Sequence, residues 1–345
     1  MTYLAYTRQT LCLIAVLLAG CTGSSSDTTA PINNSEPDVG TETAEIFRNA
    51  TYNIDVQTDV VYGQGQSHVG WNAPNPISTD LLLDVYTPMN NQTARPAMVF
   101  IHGGGFIGGD KATEPPVAFA RYFAERGFVS VSINYRLLGD YGTLPDAFIG
   151  AIDALPLLSD ADKDQLKAMY PATRDAKAAL RWLVANAEAY GVDPDMISVV
   201  GGSAGSYIAI ALGASAFDDY VGELSTTEDP TLASTNLDQD AIVGAVIDHW
   251  GGPATVDLLE TVDGVTRWAT DDAPISIIHG TEDLTVPYDR AEALVDIYSQ
   301  TGAYFELTTL QGAGHSAWNV NVDGQPLTAL GFDFVARMLA IEVLP

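Results

Sequence analysis

The chain has 345 residues, 47% of them hydrophobic, enough for one large α/β domain or two small ones with a sizeable core. A formal charge of −29, with only Lys111, Lys163, Lys167 and Lys177 as lysines, argues against nucleic acid and other polyanions as partners. Such an acidic surface suits a salty or extracellular setting, or serves solubility alone.

Arg8 is the only charge before an apolar run, Leu11 to Leu18, that ends in Leu18-Ala19-Gly20-Cys21. The run is too short to span a bilayer of about 30 Å hydrocarbon as a helix, so residues 1–20 read as a signal peptide. Leu-Ala-Gly-Cys resembles the bacterial lipobox, which implies lipid modification of Cys21 and attachment to a bilayer; an ordinary signal peptide is the alternative. The expected location is the bacterial cell envelope, lipid-anchored at the outer membrane or cell surface, or otherwise secreted. Cys12 leaves with the signal, so no internal disulfide, cysteine nucleophile or thiolate metal site is expected. Residues 21–45, rich in Ser, Thr, Asp, Asn and Pro, read as a flexible tether. Residues 46–345 are left as the folded domain.

Strands are expected over Asn53–Tyr62, Leu81–Tyr86 and Ala97–Ile101, the last a continuous apolar run that enters His102-Gly103-Gly104-Gly105-Phe106. His68, between the first two, has no second metal-type residue at ligand spacing and reads as a surface histidine. Three glycines after a buried strand let backbone N–H groups be aimed at a ligand, and HGGG after a strand is one half of an esterase oxyanion hole. His102 would hold that loop by hydrogen bonds without transferring a proton. A helix over Val117–Arg126 stops at Gly127, and a buried strand follows over Phe128–Asn134. Leu138–Pro171 is irregular, with a helical patch near Asp162–Met169, and Arg174–Tyr190 is a helix closed by Gly191. Segments 138–171 and 214–240 read as lid-like insertions that shape the pocket.

Ile197–Val200 is a β-branched strand, Gly201-Gly202-Ser203-Ala204-Gly205 follows, and Tyr207–Gly213 is helix-permissive. Strand, G-x-S-x-G and helix in that order make a nucleophile elbow, in which Ser203 projects above the carboxyl edge of a sheet. A Cβ at Gly201 or Gly205 would strike the adjoining strand or helix. Strand Ile242–Ile247 runs to Asp248-His249-Trp250, and strand Ile275–Ile278 runs into His279-Gly-Thr-Glu-Asp283. Helix Tyr288–Thr301, strand Tyr304–Leu310, Gln311-Gly-Ala-Gly-His315 and helix Leu327–Ile341 complete the chain. Strands alternating with helices call for a mostly parallel central sheet of about eight strands with helices on both faces.

These motifs resemble the α/β-hydrolase superfamily over roughly residues 80–340. HGGGF, Asn134-Tyr135-Arg136, Asp175-Ala-Lys-Ala-Ala-Leu-Arg-Trp182, Gly-Gly-Ser-Ala-Gly, His-Gly-Thr-Glu-Asp-x-x-Val-Pro and Gly-x-Gly-His carry the likeness. The nearest branches are carboxylesterases related to hormone-sensitive lipase and bacterial feruloyl/acetyl-xylan esterases. The resemblance implies Ser203 as nucleophile, Asp283 as acid and His315 as base, with Gly104, Gly105 and Ala204 as oxyanion donors. It also implies carboxylic ester hydrolysis through an acyl-enzyme, with small or medium acyl groups, feruloyl or sugar-acetyl groups among them, on small-molecule or polysaccharide-linked substrates. No cofactor or metal is required. Each of the three residues follows a parallel strand, so all can converge on one sheet edge, where a serine needs an imidazole and the imidazole a carboxylate. Asp248 also follows a strand and stands as the alternative acid, while Phe106, His249 and Trp250 are candidates for the pocket lining. Two rival readings are an amide hydrolase (peptidase or formamidase) on the same residues and a non-catalytic binding module. The chain departs from the hormone-sensitive-lipase pattern at Gly202, where Asp or Glu is usual, at Ser206, where Gly is usual, and at Leu138-Gly139-Asp140, where Ala-Pro-Glu is usual. These departures favour the feruloyl/acetyl-esterase-like branch.

Overall fold

In the computed structural model, residues 43–345 are described; the segment read as a signal peptide, Cys21 and nearly all of the segment read as a tether lie outside them. Eight strands form one sheet: β1 (Ile54–Ser67), β2 (Ile77–Pro88), β3 (Arg95–Ile101), β4 (Val129–Ile133), β5 (Val192–Gly202), β6 (Val243–His249), β7 (Ile275–Gly280) and β8 (Phe305–Leu310). Their spatial order is β1-β2-β4-β3-β5-β6-β7-β8. β2 runs antiparallel to both neighbours, and all other pairs are parallel. This is the mostly parallel eight-stranded sheet expected from the alternation of strands and helices.

The period-two alternation of β3 sorts its side chains between two cores. Ala97, Val99 and Ile101 join one core with α2 (Asp146–Asp153), α3 (Asp160–Ala185), α4 (Ala204–Ala214), α5 (Ala254–Asp263) and α6 (Asp289–Thr301). Met98 and Phe100 join the other, with α1 (Pro116–Ala124) and α7 (Leu327–Met338), whose Phe123 and Phe332 rings stand 5.7 Å apart. Helices therefore cover both faces, and every chain reversal into a parallel strand brings a loop to the carboxyl edge.

Two expectations change. Pro171 was expected near the end of an irregular stretch, yet α3 runs through it without a break. Ser159 starts the helix by accepting from the Asp162 N–H, and Lys167 to Leu183 are buried without interruption, so packing outweighs the hydrogen bond that proline removes. Ala254–Asp263, without a readable pattern in sequence, is a helix stopped by Gly264 at φ 72°. Of residues 21–45, only 43–45 are described, and there Ala44 N–H donates to Thr93 O (2.8 Å). Among the described residues no helix is long and apolar enough to cross a membrane.

Buried cations fix the irregular segments. Lys177 Nζ donates to Asp219 O (2.8 Å), Arg174 to Val221 O (3.1 Å) and Arg181 to Thr235 O (2.9 Å), so α3 ties down the whole 214–240 insertion. Burial pushes the Lys177 amine down to about 8, and backbone carbonyls are its closest partners. At the end of β4, the Arg136 guanidinium meets Asp175 of α3 through Nη2 (2.6 Å) and Nε (2.9 Å), and the Arg136 N–H donates to the same carboxylate (2.9 Å). Both side chains are almost wholly buried. Removing one member leaves the other charge without its partner in the interior. Asp175→Asn is expected to cost about 3–5 kcal/mol of unfolding free energy. Urea denaturation of both proteins checks this, and a loss below about 1 kcal/mol would mean that Arg136 finds another partner.

Candidate active site

The elbow is built where expected. β5 ends at Gly202, α4 begins at Ala204, and Ser203 between them has φ 55° and ψ −125°. A non-glycine residue in that region stores about 1–3 kcal/mol of strain, which the surrounding packing must impose. A Cβ on Gly205 would lie 2.0 Å from Ile101 O, and one on Gly201 would lie 2.2 Å from Gly205 O, so α4 can sit directly against the ends of β3 and β5. Ser203 N–H donates to His249 O (2.9 Å), which ties the elbow to β6.

The structure brings together the three residues whose motifs lie after β5, β7 and β8. Ser203 Oγ is 3.0 Å from His315 Nε2, and His315 Nδ1 is 2.7 Å from Asp283 Oδ2. A carboxylate can only accept, so the Nδ1–H donates to Asp283 and leaves Nε2 to accept from the serine hydroxyl. Asp283 Oδ1 accepts from the N–H groups of Thr285 and Val286 (both 2.9 Å). His279 Nε2–H donates to Val286 O (2.8 Å), so that histidine orders the acid's own loop. Asp283 is buried, whereas Ser203 and His315 are each partly exposed. A hydroxyl aligned on an imidazole held by a carboxylate can attack an electrophile while losing its proton.

On the other side of Ser203 stands the glycine loop. Gly104 has φ 118°, where a Cβ would fall 2.0 Å from Gly108 O, and its carbonyl accepts from Ile107 and Gly108. The N–H groups of Gly104, Gly105 and Ala204 donate to no acceptor among the described residues. Ala204 opens α4, so its N–H lies at the positive end of that helix. Gln165 of α3 donates to Gly105 O (2.8 Å) and Lys111 makes ion pairs with Asp84 (2.6 Å) and Asp59 (2.8 Å), which fixes both ends of the loop. Tyr135 stacks on His102 at 4.3 Å and donates to His102 O (2.8 Å); burial lowers the imidazole's proton affinity. His102 holds the loop, as expected.

Asp248 does not act as the partner of His315. It lies buried beneath α4, accepting from Ser206 Oγ and from Gly251 N–H (2.7 Å). Burial raises its proton affinity, and the Ser206 hydrogen bond opposes that. The pocket candidates divide. Trp250 lines the cavity beside Ser203. Phe106 and His249 do not: Phe106 is buried at φ 60° behind its loop, 6.4 Å from the Tyr135 ring. His249 is wholly buried, donates to Gly201 O (3.1 Å), and is pushed down to about 4 by burial, so it stays neutral near pH 7. Neither 138–171 nor 214–240 lines this cavity of about 560 Å³. Its wall instead includes Phe100, Trp318 and the Thr113–Pro116 turn, which sequence reasoning missed; the only available signal was an aromatic three residues after His315.

The strand order and elbow are those of the α/β-hydrolase fold, which solved structures share. The BD-FAE family model matches residues 83–152 and 163–263. Among curated proteins, the chain is 28% identical to Esterase LipC of Mycobacterium tuberculosis over 264 residues, 68% of this chain and 56% of that one. It is 25% identical to Isoprenylcysteine alpha-carbonyl methylesterase ICME of Arabidopsis thaliana over 255 residues, 68% of this chain and 53% of that one. The chain thus spans little more than half the length of these relatives. The structure of the propionate-bound esterase Est2 of Thermogutta terrifontis superposes with a TM-score of 0.55 at 22% identity, covering 88% of this chain and 97% of that one. That likeness concerns the fold.

The raised proton affinity of Asp248 gives a signed stability effect. A carboxyl whose folded pKa is raised stabilises the fold fully below its unfolded value, about 3.9, and loses that contribution as pH rises through the folded value. Asp248→Asn cannot ionise, so its melting temperature relative to wild type should rise as pH increases from about 4 towards neutral. Thermal scans across that range check this, and a constant difference would place the Asp248 pKa at its ordinary value.

Proposed function

We propose that this protein is a serine esterase that hydrolyses carboxylic esters through an acyl-enzyme. The observation that carries the reading is the unbroken chain Ser203–His315–Asp283 beside three uncommitted N–H groups. Ser203 Oγ attacks the ester carbonyl as His315 Nε2 takes the hydroxyl proton, and Asp283 stabilises the imidazolium. The carbonyl oxygen becomes an oxyanion held by the N–H groups of Gly104, Gly105 and Ala204, each such donor supplying about 2.7–4 kcal/mol of transition-state stabilisation. The C–O bond to the alcohol then breaks, and His315 returns its proton to the departing alkoxide. Water repeats the sequence on the acyl-enzyme, releasing the acid and restoring Ser203.

The substrates in this reading are neutral esters with small or medium acyl groups, sugar-acetyl and feruloyl esters among them, free or on a polysaccharide. Among the described lining residues Glu114 is the only carboxylate and no lysine or arginine occurs, which disfavours anionic substrates. The lipobox-like Leu18-Ala19-Gly20-Cys21 supports a lipid anchor on Cys21 and a place at the cell envelope. Cys21→Ala should move the expressed protein from the detergent-rich to the aqueous phase on detergent phase separation; continued partition into detergent would overturn the anchor.

Ser203→Ala is expected to lower kcat for p-nitrophenyl acetate by roughly 10⁴-fold or more and to abolish labelling by an organophosphate. Asp283→Asn should lower kcat about 10⁴-fold while the organophosphate still reacts slowly. A folded Ser203→Ala protein with wild-type turnover would end this reading.

A further inference from the structure

We propose that Trp318 sets the size of the alcohol group accepted by this site, forming with the bare backbone of Gly202 the inner wall of the cavity beside Ser203. The proposal rests on the ester-hydrolase reading and extends it to the leaving group.

The indole of Trp318 lies where a side chain at position 202 would lie. A Cβ on Gly202 would be 2.4 Å from Trp318 Cζ2 and 2.7 Å from Cη2. The glycine before the nucleophile is therefore the condition for placing an indole against the elbow. Four rings hold that indole: Trp250 at 4.6 Å, edge to face, His249 at 4.8 Å, Phe119 at 5.6 Å and Phe100 at 6.2 Å. All four are buried, so the wall they support is stiff. Its backbone is equally fixed. Ser316 has φ 59° and accepts from the Trp318 N–H (2.8 Å), a tight turn that folds the chain back immediately after His315.

The chemistry decides which half of the substrate meets this wall. When the tetrahedral intermediate collapses, His315 Nε2 must hand its proton to the departing oxygen, so the alcohol lies on the imidazole side. The oxyanion lies across from it, on the glycine loop and Ala204. Trp250, which supports Trp318, stands 6.1 Å from the His315 ring in an edge-to-face arrangement. The wall is thus beside the alcohol, and its chemistry is apolar and flat. Compact neutral alcohols fit it: short alkyl groups, or a ring whose face lies along the indole. A bulky or deeply branched alcohol meets Trp318.

Two ester series separate the halves of the substrate. One holds the acyl group as acetate and varies the alcohol through ethyl, butyl, benzyl and cyclohexyl; the other holds p-nitrophenol and varies the acyl group from acetyl to octanoyl. Trp318→Ala should raise kcat/KM for cyclohexyl acetate relative to ethyl acetate about tenfold or more, with the acyl-series ratios kept within about twofold. Trp318→Phe, which keeps the core filled, should move the alcohol ratio about threefold in the same direction. Organophosphate titration counts intact Ser203 sites, and the ratios do not depend on the amount of folded enzyme. An unchanged alcohol ratio in Trp318→Phe and Trp318→Ala, or a shift confined to the acyl series, overturns the proposal while leaving ester hydrolysis standing. A wild-type protein that hydrolyses neither series and takes up no organophosphate overturns the esterase reading itself.

Discussion

The site depends on how closely α4 approaches the end of β3. Gly205 stands against the carbonyls of Ile101 and His102, closer than any side chain would allow. That contact forces the turn at Ser203 into its strained conformation and brings the nucleophile beside the glycine loop, which grows from the same end of β3. One close approach therefore sets both the serine hydroxyl and the neighbouring donors. A helix moved outward by the width of a methyl group would separate them, and small misplacements of reacting groups are costly in rate.

Charge and hydrogen bonding hold this arrangement from behind. Arg136 and Asp175 join the end of β4 to α3, Gln165 of the same helix reaches the glycine loop, and Tyr135 binds the carbonyl of His102. On the acid side, His279 and two backbone N–H groups leave Asp283 one free direction, towards His315. The two departures within the elbow motif have local explanations of the same kind. Gly202 leaves room for Trp318, and Ser206 supplies a hydroxyl to the buried Asp248.

Strands and the three convergent residues were legible because each is encoded in a short stretch. Ala97–Ile101 of β3 and Ile197–Val200 of β5 are short, mostly apolar stretches, and Ser203, Asp283 and His315 each sit in a loop directly after a strand. The choice between Asp283 and Asp248 needed coordinates, since both follow strands and only distance to His315 separates them. Helix α3 was misjudged at Pro171 because a local rule about proline was overridden by burial over seventeen consecutive residues, Lys167 to Leu183. Helix α5 contains Thr255, Val256, Thr261 and Val262, whose branched side chains favour strand over helix, so its pattern was weak. The cavity wall was invisible for another reason: Phe100, Trp250 and Trp318 are distant in sequence, and only the packing of their rings reveals a shared surface.

Among the described residues, seven of the fourteen lysines and arginines are buried, against six of forty acids. Positive charge is thus concentrated in the interior, holding loops to helices, and the outer shell is left with carboxylates that have few cationic neighbours. Such a shell binds water and mobile counterions more than it binds itself. Separate copies of the molecule repel at low ionic strength, and added salt relaxes that repulsion without reaching the enclosed ion pairs that hold the fold.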